Sequence, residues 1–217
     1  MVLLASVPVK LPTIDKLPLS LKTKDPTVQL LLNPTTGGSA YVTDSIASGT
    51  SATLNASTVG NGQTLEFIIP GTVGTGSIIV GGTLNAGSDT NGIVNLAAAG
   101  NGSITDSSSS NVITAGQVNL TAGTSSNTGT VGSGYTTPLE LNAAAVSVNA
   151  YGSNFISNAY TGIASLLQST VGSLVLSVPV KLPTIDKLPL SLKTKDPTVD
   201  CNKLAIPVYA LLMKLLP

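Results

Sequence analysis

The stretch 138–150, PLELNAAAVSVNA, limits the folds open to this chain. Leu139, Leu141 and Ala143 alternate with Glu140 and Asn142; after Ala144 and Ala145 the phase slips by one residue, and Val146, Val148 and Ala150 alternate with Ser147 and Asn149. Strict alternation marks a strand with one buried face. A slip at small residues lets the chain turn a corner and start a second strand of the same core. The tripeptide apolar-Asn-apolar inside this stretch recurs around Asn55, Asn85, Asn95, Asn119, Asn142 and Asn149. Copies separated by Gly, Ser and Thr predict stacked coils rather than a sandwich. The six asparagines are the candidate site positions: their side chains point outward where the neighbours point in, and stacked amides form ladders between coils.

Strand candidates follow one another at 40–43, 52–56, 65–69, 78–86, 93–98, 112–115, 117–122, 139–143, 146–150 and 155–157, divided by Gly, Asn, Ser and Asp clusters. No helical period is visible before about Ile163. The motif GGSAYVTDS (37–45) is repeated loosely as YGSNFISNA (151–159), and each is followed by the tetrapeptide STVG. With coils of roughly 20–25 residues, residues 29–176 make about six of them, each rising ~4.8 Å.

Composition divides the chain. Only 9% of the 217 residues are charged and 3% aromatic, while 42% are hydrophobic. The core must therefore be Val, Ile, Leu and Ala, and the surface Ser, Thr, Asn and Gly. All ten basic residues are Lys, and none lies within 29–176; all 22 glycines lie between Gly37 and Gly172. The expected organisation is a Pro/Lys-rich flank (1–28), a Gly/Ser/Thr/Asn-rich solenoid (29–176), a second flank (177–199) and a short apolar helical tail (200–217). The flanks are copies: residues 6–28 and 177–199 are identical over 23 positions. Two readings fit that identity, a docking or capping element at both ends of the middle segment, or a recent duplication. In the tail, Val208, Leu211, Leu212 and Leu215 follow helical spacing behind Pro207.

Several kinds of chemistry lack their residues. There is no His and no Arg, so neither a Ser-His-Asp triad, a His-metal site nor a guanidinium clamp is available. Basic flanks without Arg or aromatics offer nothing for bases to stack on, and no nucleic-acid partner is expected. Cys201 is the single cysteine, so no internal disulfide forms. No catalytic, cofactor-binding or metal-ligating residue is identified, and no cofactor is expected. No apolar run reaches the ~20 residues that span a bilayer. Three Asn-x-Ser/Thr tripeptides, at Asn55, Asn101 and Asn119, are the chance matches expected of such a composition.

The segment 112–157, VITAGQVNLTAGTSSNTGTVGSGYTTPLELNAAAVSVNAYGSNFIS, resembles the repeat region of filamentous-haemagglutinin-type bacterial surface proteins. The likeness lies in "V-x-L-T-A-G", "P-L-x-L-N-A" and "G-x-x-F-I-S". GGSAYVTDS (37–45) resembles the last of these units, and the likeness covers about 36–172. It implies an all-β chain, a right-handed parallel β-helix, exported across the outer membrane and used as an adhesin stalk. It implies a secreted or cell-surface location and contact with a host-cell or glycan surface through a parent protein. No secretion signal or transporter-recognition domain is visible, so a fragment of a longer chain is expected. Two alternatives come from other classes: a phage or surface-layer assembly protein with duplicated docking arms, and a β-helix enzyme acting on polysaccharide. Carboxylates clustered on one face would favour the enzyme; scattered ones would count against it.

Overall fold

A computed structural model of the chain is a parallel β-solenoid with three faces. The structure describes residues 2–4, 19–32, 35, 37–71, 76–87, 91–123, 129–160, 165–168, 174–177 and 191–194, with side chains between 20 and 160. No helix occurs among the described residues. The helical segment expected at 200–217 lies outside them, as do Cys201 and Asp89.

The first face is the longest. Its rungs are Val2–Leu4, Leu19–Thr23, Ala40–Asp44, Thr64–Ile69, Ile93–Ala98, 117–122, 145–150, Ser165–Gln168 and Ser191–Thr194, each hydrogen-bonded in parallel to the next. The second face holds Thr27–Val28, Ser51–Leu54, Ser77–Val80 and Ile104–Asp106. Val131 and then Asn154 continue it by single bridges, and Asn154–Asn158 pairs with Leu174–Ser177. The third face stacks Ser57–Thr58, Leu84–Asn85, 113–115 and 141–143, and 156–158 pairs with 139–141 of the same strand. Five first-face rungs between Ala40 and Ala150 enclose four turns. The register advances 25 residues from Ala40 to Leu65, 29 from Thr64 to Ile93, 24 from Ile93 to Gln117 and 28 from Gln117 to Ala145.

Alternation places the core. Thr64–Ile69 and Ile93–Ala98 bury every second residue, and the buried ones stack into rows along the axis. One row runs Leu21, Val42, Phe67, Leu96, Leu120 and Val148; beside it lie Ala40, Leu65, Val94, Val118 and Val146. Each fully buried Leu, Ile or Val contributes roughly 1.5–3 kcal/mol of transfer free energy. Adjacent rungs share the same apolar row, so a coil covers its neighbours' core as well as its own.

The corner foreseen at Ala144 and Ala145 is present. Leu139–Ala150 is one strand that buries Leu139, Leu141 and Ala143, leaves Ala144 and Ala145 half-buried, and resumes with Val146, Val148 and Ala150. The strand beneath, Ile113–Ala122, turns at Gly116, and the pairing passes from Ala115–Ala143 to Gln117–Ala145. The expected pairs 112–115 with 117–122, and 139–143 with 146–150, are therefore each one bent strand. The candidate 78–86 splits instead into Ser77–Val80 and Leu84–Asn85. Gly81 and Gly82 turn the corner there, and a Cβ on Gly82 would strike the backbone of Ala56.

The solenoid also reaches into the first flank. Leu19–Thr23 and Thr27–Val28 lie within the duplicated sequence, and Leu21 and Val28 are buried in the core. The second copy supplies the matching strand Ser191–Thr194 to the same face. Identical SLKT tetrapeptides thus occupy rungs near both ends of one column of strands.

Candidate functional site

The outward positions of the first face form the most organised polar array. In register, Tyr41, Glu66, Asn95, Asn119 and Ser147 make one row. Gln117 Nε2 donates to Asn119 Oδ1 at 2.8 Å, Asn119 Nδ2 to Asn95 Oδ1 at 2.7 Å, and Asn95 Nδ2 to Glu66 Oε2 at 3.2 Å. Every donor points toward Glu66. A chain of amides aligned this way polarises bond by bond and ends on the one group able to accept a full charge's worth of hydrogen bonding. Tyr41, at 37% exposure, stands next to Glu66 in the row.

The structure brings two of the six expected asparagines into a direct ladder, Asn95 and Asn119. Asn85 and Asn142 share a third-face row but are separated by Thr114. The Asn85 side chain turns back instead, Oδ1 accepting the Gly87 N–H at 2.8 Å. Asn55 sits at the corner after Ser51–Leu54, where its N–H donates to the Val28 carbonyl at 2.8 Å and its carbonyl accepts from Ser57 Oγ at 2.8 Å. Asn149 is exposed beside Thr121 in another row.

A second ladder was not foreseen. Gly-Ser or Gly-Thr dipeptides at 76–77, 102–103, 129–130 and 152–153 stack at the corner between first and second faces. Ser77 Oγ accepts the Ser103 N–H at 3.1 Å, and Ser103 Oγ accepts the Thr130 N–H at 3.0 Å and the Thr130 hydroxyl at 3.1 Å. The signal was legible as a recurring dipeptide with a period of 23–27 residues. It is hidden by the many other Gly, Ser and Thr residues around it.

Polar groups also enter the core. Asn158 is buried, and its amide accepts from the Ala143 N–H at 3.0 Å and donates to the Ala143 carbonyl at 2.9 Å, replacing a backbone partner at the bend. Asn154 continues the second-face row of Ile104 and Val131 ahead of Leu174, with neither amide atom bonded among the described residues. Asp44 is completely buried and neither carboxylate oxygen has a partner among the described residues. Burial, with a smaller push from the Asp25 charge, raises its pKa from the ordinary 3.8 to about 6. Asp106 is also raised, by burial, against hydrogen bonds from the Ser108 N–H, the Asn111 side chain and the Ser107 N–H.

Among the described carboxylates only Asp25 and Asp44 lie near one another; the rest are scattered. Glu66 lies on the first face, Glu140 on the third, Asp106 in the second-face row of Val28, Leu54 and Val80, and Asp44 inside a corner. Among the described residues no three Asp, Glu, His or Cys side chains gather as a cation site. The array is thus suited to binding coils to one another and to presenting amides and hydroxyls at even spacing. No helix among the described residues is long and apolar enough to cross a membrane. No family model matches the chain, and no curated protein or solved structure is significantly similar to it.

Proposed function

We propose that the chain is a structural segment of a secreted or cell-surface bacterial adhesin or exoprotein, belonging to a longer polypeptide and working by extension rather than catalysis. The observation that carries this reading is the first-face ladder. Asn119, Asn95 and Glu66 spend hydrogen bonds on one another across coils, with Gln117 bracing Asn119 within its own rung, an arrangement that ties rungs into a rod growing ~4.8 Å per coil. The resemblance of 112–157 to haemagglutinin-type repeats supports the same reading. So does the lack of Lys and Arg in 29–176, which leaves trypsin-like proteases nothing to cut there. The parent protein would contact a host-cell or glycan surface.

Fractionation of the source cells tests it. An antibody raised against the chain should detect a product well above 21.7 kDa in the surface or culture fraction, removable by mild protease treatment of intact cells. A product confined to the cytosol would overturn the proposal.

One observation favours a second reading, an assembly subunit with duplicated docking arms. The identical strands within Leu19–Thr23 and at Ser191–Thr194 stand in one column near its two ends. The full chain under reducing conditions would then show concentration-dependent oligomers by sedimentation velocity. A variant lacking residues 1–28 would not, and equal behaviour of the two would refute this reading.

A further inference from the structure

Asp44 sits where the first flank copy joins the body of the solenoid. Its register neighbour in the rung below is Thr23, itself buried. Thr23 Oγ1 accepts the Asp25 N–H at 3.0 Å, and Asp25 Oδ1 accepts the Thr27 N–H at 3.3 Å. The Ser45 N–H donates to the Thr23 carbonyl at 2.8 Å, and the Thr53 N–H to the Pro26 carbonyl at 2.7 Å. The joint between flank and solenoid therefore closes around one carboxyl group.

An ionised carboxylate so buried finds no donor among the described residues to hold its charge, whereas the neutral acid loses far less on burial. The charged neighbours do not compensate. In the rung below, Lys22 and Lys24 are exposed on the outside, and Asp25 adds repulsion. In the rung above, Glu66 lies in the outward row and accepts from Asn95. The second-face strands packed nearby, Thr27–Val28 and Ser51–Leu54, contain no titratable side chain.

We propose that Asp44 is a proton-operated latch for the first flank copy. While Asp44 is protonated, Leu19–Thr23 and Thr27–Val28 stay stacked beneath Ala40–Asp44 and Ser51–Leu54. Loss of the proton puts a charge in the joint beside Asp25, and the two flank strands loosen from the stack. The latch is independent of the stalk reading and applies wherever the chain works.

The duplication supplies an internal control. Residues 191–194 repeat 20–23, and Thr194 pairs with Gln168 rather than with an acid. The same lysines thus stand in both copies, with a buried carboxyl next to only one of them among the described residues. Trypsin digestion of the full chain, followed by mass spectrometry, compares cleavage after Lys22 and Lys24 with cleavage after Lys193 and Lys195. Taking the ratio removes trypsin's own pH dependence. When opening is fast relative to cutting, the ratio tracks the open population. From about pH 5 upward it should rise by roughly tenfold and level off above about pH 7, because the folded-state pKa of about 6 lies above the ordinary 3.8. Asp44→Asn should make the ratio flat. Asp25→Asn should keep a smaller rise that levels off at lower pH, because removing a like charge lowers the folded-state pKa of Asp44. A flat ratio in the native chain, or a rise that survives Asp44→Asn unchanged, would overturn the latch.

Discussion

At the scale of single residues, inward and outward positions obey different energetics. Asn119 bridges Gln117 and Asn95 on a wet face, where water replaces a lost partner. Asn119→Ala should therefore cost at most about 1 kcal/mol in urea unfolding. Leu96, 1% exposed between Phe67 and Leu120, leaves a cavity when truncated, and Leu96→Ala should cost about 2–5 kcal/mol. Asn154 reverses the usual direction. Its amide is buried without a partner among the described residues, in a row between Val131 and Leu174, so Asn154→Val should raise the urea midpoint, by about 1–3 kcal/mol of stability. Asp44 gives stability a pH slope. Its folded pKa of about 6 lies above the ordinary 3.8, so the native state holds the proton more tightly than the unfolded chain. Its contribution is complete below about pH 4 and lost as pH rises through about 6. The urea midpoint should fall across that window, and Asp44→Asn should reduce the fall to the remaining contribution of Asp106.

Elements bring out how corners are made. Phase slips at Gly116 and at Ala144 and Ala145 bend two long strands without breaking them, because small side chains let the backbone change which face it buries. The corner between first and second faces relies on closer approach. A Cβ on Gly102 would run into the Gly76 carbonyl oxygen one coil below, so the glycines set how tightly coils stack there. Gly102→Ala should lower the thermal midpoint by several degrees or more, with the far-UV spectrum still that of strand. Strand positions and the bend at 144–145 were legible from alternation alone. The split of 78–86 was not, because Gly81 and Gly82 interrupt an otherwise continuous apolar run. The Gly-Ser/Thr ladder stayed hidden for a related reason: only stacking separates its members from the other small polar residues.

Over the whole molecule, the row of buried Leu, Val and Phe side chains is continuous from Leu21 to Val148, and each coil depends on two neighbours. Coils between Thr64 and Ala150 have neighbours on both sides, so hydrogen exchange should be slowest there and faster toward Leu19–Thr23. Uniform protection across all described rungs would contradict a solenoid that frays from its ends. Circular dichroism of the full chain should be dominated by strand.

The sequence by itself determined the class of fold. Period-two alternation, apolar-Asn-apolar repeats and a scarcity of aromatic and charged residues leave few arrangements other than stacked parallel coils. It also determined which chemistry lacks its residues, since that follows from residue types alone. Only the tertiary structure decided which repeats meet. Asn95 and Asn119 are neighbours because a single coil of 24 residues separates them, whereas Asn85 and Asn142 stand two coils apart with Thr114 on the rung between. Burial of Asp44 above Thr23 was likewise invisible, because the two residues lie 21 positions apart and meet through the register of the flank on the first full coil. Local patterns set what each residue prefers to face; unequal coil lengths, settled only when the whole stack closes, set whom it faces.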